Sequence, residues 1–572
     1  MKNYVVREPI PESAEKELAE YSDFVRHLLY YRGVETKIDA EEYLNPNYDL
    51  HVHDPSELKD IDKAVDRIVD AMDKNERIAI YSDYDTDGIP GAVILHDFFK
   101  KIKYENFTNY IPHRNKEGFG LNVGAIDALA EDKVKLIITI DCGITDVPEV
   151  KRANEKGMDV IITDHHLTHE VVPEAYAIVN PKQESCKYSE DMLCGSGVIF
   201  KLVQALLNKH REKWGVTAGW EKWLLDMVGI ATLSDMVPLQ GENRVLAYYG
   251  LKVLRKSPRP GLQQLLRKLK VNQRFLTEED IGFTIGPRIN AASRMGVPID
   301  AFHLLATTDE VEAGRLAVHL NEINDERKSL VAVMVREIHK TVKERYPEEE
   351  KKIIVLGNPK WKPSLVGLVA NKLMEEYNCP VFLWGREEGN EMKGSCRSNG
   401  SVDVVKLMKA LPDGVLAGSG GHAMAGGFSV TDSGVHVLAE EMEKAFEKVK
   451  MGEGDRDTTF VDRILSIDEV NWRLHDDIDK LSPFGVGNAR PLFMLKGVIP
   501  SSVRTFGKQK NHLGLTFKNS NDRDVDSIGF FMTPETFGEK VKEGQPLDLV
   551  VAVEKSMFRG RPELRMRIID VI

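Results

Sequence analysis

The run Tyr81-Ser82-Asp83-Tyr84-Asp85-Thr86-Asp87-Gly88 constrains this chain more than any other stretch. It follows the apolar segment Arg77-Ile78-Ala79-Ile80, which reads as a buried parallel strand. Gly88 and Pro90 end that strand, and a helix is predicted over Gly91 to Lys101. Alternating aspartates at a strand end point into one crevice, the place where open α/β sheets bind ligands. Three carboxylates held that close repel one another, and a cation is the simplest way to satisfy them. Hard oxygen ligands suit Mg²⁺ or Mn²⁺.

Two other readings of the run compete. Asp83, Asp85, Asp87 and Gly88 fit the first half of a calcium-binding EF-hand loop, but its twelfth position, which needs a bidentate Glu, is Ile94. The preceding segment is also strand-like where an EF-hand needs a helix. A solvated acidic turn is the blander alternative, and further clusters of the same type weigh against it.

Strand and helix patterns alternate from residue 77 to about 180, which implies a doubly wound parallel sheet. The predicted strands are Arg77–Tyr81, Phe107–Ile111, Lys135–Ile140, Asp159–Thr163 and Ala177–Asn180. The third runs into Asp141-Cys142-Gly143 and the fourth into Asp164-His165-His166. A lone Asp or His at a strand end is usually a cap or a turn residue. Three clusters of metal-ligand type on one sheet edge reverse that weighting. Asp235, in Ser234-Asp235-Met236-Val237-Pro238, sits between apolar runs where an unpaired carboxylate is costly.

The rest of the chain supplies cations and glycines. Lys252 to Arg274 holds eight basic residues and no acidic one, which fits either a solvated helix face or contact with a nucleic-acid backbone. Pro287 to Arg294 sets two arginines in a stretch of small and apolar residues, and arginine in such a setting meets an anion. Ser13 to Tyr31 has helical periodicity, and Glu310 to Arg345 reads as one long helix joining two lobes. A second α/β unit follows, with strands at Lys352–Leu356 and Pro380–Trp384, then Ser395-Cys396-Arg397-Ser398 and the glycine-rich run Gly418 to Phe428 around His422. Without a following GK[ST] that run is no nucleotide P-loop, and it suggests a phosphate-contacting surface. Lys448 to Asp457 reads as a charged linker. Beyond it, short alternating strands with turns at Gly507 and Arg559-Gly560 suit a small antiparallel barrel. Arg504, Phe506, Lys508, Lys510, His512, Lys555, Phe558, Arg559, Arg561, Arg565 and Arg567 give it the basic and aromatic mixture that suits single-stranded nucleic acid.

Composition sets outer bounds. The length of 572 residues suggests about three or four domains. A net charge of −13 argues against coating nucleic acid over the whole surface, while leaving room for a local basic groove. The five cysteines show no paired spacing, so reduced thiols and no structural zinc are expected. No run of about 18 apolar residues appears and Met1 to Pro11 lacks a signal peptide's apolar core, so a cytoplasmic protein with no membrane span is expected.

Taken in order, these residues resemble a known family. Asp83 to Gly88, Asp141-Cys142-Gly143, Asp164-His165-His166 and Ser234 to Pro238 are similar to the four motifs of the DHH phosphoesterases. His113 to Gly120, Asn180-Pro181-Lys182, Pro287 to Arg294, the Gly-Gly-His segment and Pro483 to Asn488 resemble the RecJ branch. This chain departs from the family's habit at Tyr81, Thr86, Ser293 and Lys362.

The resemblance implies an α/β architecture in several parts. These are an N-terminal helical extension (1–60), a DHH catalytic domain (61–305), a connecting helix (306–348), a DHH-associated domain (349–448) and a C-terminal OB-fold barrel (456–572), with no further domain beyond the barrel. It implies a monomeric 5′-to-3′ exonuclease specific for single-stranded DNA, working in recombination and repair with a helicase and a single-strand-binding protein as partners. The alternative is a DHH phosphodiesterase acting on short oligonucleotides or cyclic dinucleotides. The implied cofactors are two divalent cations, Mn²⁺ or Mg²⁺, about 3.5–4 Å apart. Asp83, Asp85 and Asp141 hold one in this reading, and Asp87, Asp141, His165 and Asp235 the other. Asp164 orients His165 or its loop from behind, and His166 and Arg288 contact the scissile phosphate. Arg114, Ser395 and Arg397 take the terminal 5′ phosphate. Asn290, Arg294, Gly421 and His422 complete the substrate contacts.

Overall fold

The computed structural model describes residues 3–345, 352–386, 391–449, 458–507, 509–557 and 561–572. The chain divides into two compact units. One comprises Pro55–Asp235 and Val253–Arg456; the other comprises Met1–Asp54, Met236–Lys252 and Asp457–Ile572. The linear order of the segments therefore does not match how they pack.

The larger unit opens with a five-stranded, all-parallel sheet. Its order is Phe107–Tyr110, Arg77–Ser82, Val134–Ile140, Asp159–Thr163, Ala177–Val179. All five predicted strands are present, with no end moved by more than one residue. The strands are apolar throughout because both faces are covered. Helices Val123–Glu131 and Val147–Glu155 pack on one face through Ile126, Leu129 and Val150. Helices Gly88–Lys101 and Gly195–Trp214 lie on the other. The first of these starts three residues earlier than predicted, because Pro90 sits in the opening turn, where no backbone N–H is needed. Successive strands step to opposite sides of Arg77–Ser82, so the order reverses there and leaves a crevice at the carboxyl edge.

The long helix Glu310–Arg345 leads to a second five-stranded sheet, ordered Leu416–His422, Ala425–Val430, Met392–Arg397, Val381–Arg386, Ile354–Gly357. Only the last pair is parallel. The glycine-rich run is a β-hairpin in this sheet and not an irregular loop. Met334, Val335 and Ile338 of the long helix join Leu365, Val366 and Val369 of helix Pro363–Tyr377 in a core against one face.

The smaller unit carries a seven-stranded sheet whose order runs from Arg463–Ile464 to Ser502–Phe506 without closing among the described residues. Two neighbouring pairs are parallel, where antiparallel pairing throughout was expected. The helix Trp472–Asp479 and the strand Leu547–Ser556 lie within the connections that make this possible, since parallel neighbours need a crossover. Residues 12–30 form two helices, Glu12–Glu17 and Asp23–Tyr30, because the Ser22 side chain caps the second. Leu28, Leu29 and Tyr43 share one core with Phe493, Leu513 and Val551, so the N-terminal residues belong to the C-terminal sheet's unit. The Pro483–Asn488 segment has a local structural reason. Asn488 donates to Leu481 O and Pro483 O and accepts from Arg32 and Tyr43. The expected linker residues 450–457 lie outside the described residues, as do Lys508, Phe558, Arg559 and Gly560.

Candidate metal centre

Three adjacent strands end in the same way. Asp83 N donates to Ile140 O (3.0 Å), Asp141 N to Thr163 O (2.9 Å) and Asp164 N to Val179 O (3.1 Å). Each aspartate thus continues the ladder one residue past its strand, and its carboxylate projects from the carboxyl edge. Asp141 turns there with φ of 63°, a left-handed conformation that a short polar side chain tolerates. Asp85 caps the next turn by accepting from Asp87 N (2.8 Å) and Gly88 N (3.2 Å).

The ligand-type atoms converge in three sets, each within 4.8 Å: Asp83, Asp85 and Asp141; Asp87, His165 and Asp235; Asp141, His165 and His166. His165 Nε2 lies 3.1 Å from Asp141 Oδ1 and 3.7 Å from an oxygen of both Asp87 and Asp235. Asp235 reaches this point from the C-cap of helix Leu225–Ser234. The six residues expected to hold metal are therefore brought together from segments more than 150 positions apart.

Backbone amides that the sequence reading missed complete the cluster. Gly195 N and Ser196 N, opening helix Gly195–Trp214, each donate to the Asp87 carboxylate at 2.6 Å. The positive end of a helix favours that charge. A Cβ on Gly195 would stand 2.6 Å from the Asp141 Cβ, so only glycine lets the helix come this close. Gly195-Ser196-Gly197 ahead of an apolar helix was the available signal.

Burial raises the Asp83 and Asp141 carboxyls well above the ordinary range, and neighbouring carboxylates push them further. Burial and Asp87 raise Asp235 to about 8. Burial lowers His165. For His166 burial also favours the neutral ring, but the hydrogen bond and charge of Asp164 outweigh it and raise the pKa to about 9. Asp164 Oδ1 accepts from His165 N, His166 N and His166 Nδ1 (2.7 Å), while Oδ2 accepts from Ile144 N. Asp164 thus holds the His165–His166 loop through its backbone amides, as expected, but the ring it orients is that of His166; His165 Nδ1 has no partner among the described residues.

The donor set fits divalent cations. Asp83 Oδ1, Asp141 Oδ1 and His165 Nδ1 are buried without hydrogen-bond partners among the described residues. Buried carboxylates so crowded stay ionised only beside positive charge. Oxygen donors with one imidazole suit Mn²⁺ or Mg²⁺.

The other expected site residues fall into three groups. Asn290 donates to Thr86 Oγ1, and the charges of Asp85 and Arg114 both act on Arg294, so these two border the cluster. Arg114 stands over the Tyr84 ring (5.0 Å) and lines a cavity of about 470 Å³. Lys393 and Gly420 face that cavity from the second sheet; Arg397 instead folds back onto Ser395 Oγ (3.0 Å) and Cys396 O (2.7 Å). Arg288 is not joined to the carboxylates by any contact among the described residues. It donates to Thr284 O and Asn321 Oδ1. Gly421 has φ of 136°, and a Cβ there would strike Ala425 O at 2.5 Å, so the hairpin accounts for this glycine. His422 is exposed at the hairpin's end.

Two basic stretches are partly consumed by the fold. Arg259 bonds Asp97 and Asp226, both at 2.7 Å, and Arg255 donates to Leu276 O, so the 252–274 run is no uniform basic face. On the C-terminal sheet Arg565 is held by Glu554 at 2.6 Å. His512 there packs against Phe506, Phe530 and Phe531, of which Phe531 is 79% exposed.

Residues 77–232 match the DHH family, N-terminal domain; 350–451 match the DHHA1 domain; 461–570 match the RecJ OB domain. The single-stranded-DNA-specific exonuclease RecJ of Bacillus subtilis (strain 168) is 34% identical over 547 residues, 95% of this chain and 67% of that protein. The protein of the same name from Haemophilus influenzae is 29% identical, covering 91% of each chain. Among solved structures, RecJ from Thermus thermophilus in complex with Mn²⁺ matches at a TM-score of 0.81 and 25% identity, over 100% of this chain and 79% of that one. Exonuclease RecJ bound to manganese matches at a TM-score of 0.59 and 30% identity, over 70% and 96%.

Proposed function

The chain belongs to the RecJ family, and from that premise we propose that it is a metal-dependent, single-stranded-DNA-specific exonuclease. It degrades from the 5′ end, in recombination and repair. The observation that carries the reading is the convergence of Asp83, Asp85, Asp87, Asp141, His165 and Asp235 around unpartnered buried ligand atoms.

In this reading Asp83, Asp85 and Asp141 hold one divalent cation, and Asp87, Asp141, His165 and Asp235 hold a second, with Asp141 shared. Such a pair, when bound, supplies an acidified water as nucleophile and offsets charge gathering on the phosphate oxygens. The chain's own residues do the rest. Gly195 N and Ser196 N keep Asp87 aimed and favour its ionised form against the burial that raises its pKa. His166, held by Asp164 and cationic at neutral pH, donates a hydrogen bond to an oxygen of the scissile phosphate. Asn290 and Arg294 border the same phosphate. The cavity beside Arg114 takes the terminal 5′ phosphate, with Ser395 and Arg397 at its margin. His422 and the exposed hairpin backbone at Gly421 hold the strand further on. The aromatic cluster around His512 stacks unpaired bases. Action as a monomer in the cytoplasm, alongside a helicase and a single-strand-binding protein, belongs to the same proposal. Among the described residues no helix is long and apolar enough to cross a membrane.

A time course on end-labelled single-stranded DNA with Mn²⁺ or Mg²⁺ tests it. The label placed at the 5′ end should appear first as mononucleotide, and faster when that end carries a phosphate. Attack from the 3′ end, or hydrolysis confined to dinucleotides, would refute the reading.

A further inference from the structure

Outside the carboxylate cluster the larger unit gathers cations that no carboxylate pairs with directly among the described residues. Arg114, Arg288, Arg294, Arg327 and Lys328 make no ion pair among the described residues. They act on one another in a chain: Arg294 feels Arg114 and Arg327, Arg327 feels Arg288, and Lys328 feels both. After burial itself, that mutual repulsion is what pushes Arg294, Arg327 and Lys328 down. Asp325 is the carboxylate that opposes it at Arg288 and Lys328. Asp85 opposes it at Arg294, and Asp85 already belongs to a ligand set.

Hydrogen bonding tells the same story. Nε of Arg288 and Nε of Arg327 are both buried without a partner among the described residues. Asn321, Asn324 and Arg327 recur every three residues, on one face of the long helix Glu310–Arg345. Asn321 accepts from Arg288. Asn324 is fully buried, and neither end of its amide finds a partner among the described residues. A fold that spends Arg259 on Asp97 and Asp226 leaves these donors unspent. Like charges this close, with unfilled donors, await an anion.

We infer that Arg327, with Arg288 facing it from helix Gly286–Met295 and Lys328 beside it, forms a phosphate-holding station for the backbone of the substrate strand. The station is distinct from the carboxylates that flank the scissile bond. Five cations spread over two helices and a loop suit the repeated charges of a polynucleotide better than a single free phosphate. The long helix, read from sequence as a connector, then carries part of the substrate path. The inference rests on the exonuclease reading, moves Arg288 from the scissile phosphate to one further along the strand because its bonds go to Thr284 O and Asn321 Oδ1, and adds Arg327 and Lys328, which that reading did not contain.

The test uses full-length protein and three variants, Arg327→Gln, Lys328→Gln and the charge-keeping Arg327→Lys. Binding of a fluorescent single strand is followed by anisotropy in Ca²⁺ across a salt series, and KM is measured in Mn²⁺ on the same strand and on a dinucleotide. Arg327→Gln should weaken binding about tenfold and lower the slope of log affinity against log salt by about 0.7. Lys328→Gln, at an exposed position outside the apolar core, should shift the slope in the same direction, and Arg327→Lys should restore most of it. On the dinucleotide, which is too short to reach the station, the KM change should shrink to a small fraction of that on the long strand. A wild-type slope in both glutamine variants would overturn the station, and so would an equal loss on the long strand and the dinucleotide. Wild-type protein that binds the strand without degrading it would sink the exonuclease reading alone, and the anisotropy slope would still decide the station.

Discussion

Asp83 and Asp141 each keep a buried carboxylate oxygen without a hydrogen-bond partner among the described residues, whereas Arg565 and Lys518 on the C-terminal sheet are held by Glu554 and by Asp522 and Asp524. The first region stores unpaired charge and the second cancels it. Desolvating a carboxylate is expensive, so a fold that leaves several unpaired in one crevice gains their stability only when a cation arrives. A surface arginine beside a glutamate costs little and, by itself, says little about ligands. Unfilled valence at buried atoms therefore marks a site better than the count of charged residues does.

The widest gap between the two regions should appear on mutating the shared ligand. Asp141→Asn should lower kcat on single-stranded DNA by on the order of 10³-fold or more. It should also raise the unfolding midpoint of chelated protein by about 2–4 °C, because an amide removes the repulsion. Turnover near the wild-type rate, or a lower midpoint, would break the comparison.

His166 comes next. Asp164→Asn should cost about 10–100-fold in activity, as loss of an orienting carboxylate does, while the affinity for Mn²⁺ measured by titration calorimetry changes less than in Asp141→Asn.

A pH series sharpens the contrast further. The Asp235 carboxyl stands near 8 when folded, against an ordinary value of 3.8, and Asp83 and Asp141 are also raised. Below the ordinary value both states are protonated. Above it the unfolded chain ionises first, so the stability of chelated protein should fall from about pH 4 upward, with the Asp235 share of that fall complete by about pH 8. Excess Mn²⁺ should abolish that fall, since cation binding strengthens as carboxyls deprotonate. Thermal melts with and without chelator measure both arms; equal slopes would remove the cation from the argument.

The smallest effect is expected on the C-terminal sheet. Arg565→Ala should change affinity for single-stranded DNA by less than about twofold, since Glu554 already occupies that guanidinium. Arg504→Ala combined with Lys510→Ala should cost several-fold, about 0.5–1 kcal/mol per exposed contact. Anisotropy at fixed salt separates the two.

Much of the parallel sheet was legible because an apolar strand that runs into Asp is a short-range pattern. Val134–Ile140 ahead of Asp141 and Asp159–Thr163 ahead of Asp164 need only their own residues to be read. Asp235 stood out because a carboxylate amid apolar residues demands a partner. Which residues answer that demand was not legible. The Gly195 and Ser196 amides reach Asp87 across 108 and 109 positions. Arg288 and Arg294 lie on one short helix, yet one faces Asn321 and the other Ser364. Arg259 looked like part of a basic face until Asp97 and Asp226 enclosed it. The N-terminal helices gave no hint that their apolar faces pack beside Phe493 and Leu513.

From residues alone came the alternating strands and helices, the carboxylates at the strand ends and the type of ion they suit, because periodicity and donor chemistry act over a few positions. Tertiary structure alone decided which of those charges stay unpaired, which ring Asp164 holds and which arginines remain open to an anion. The energy of a buried charge is set by neighbours in space, which range here from the His166 ring two positions past Asp164 to the Gly195 and Ser196 amides more than a hundred positions past Asp87.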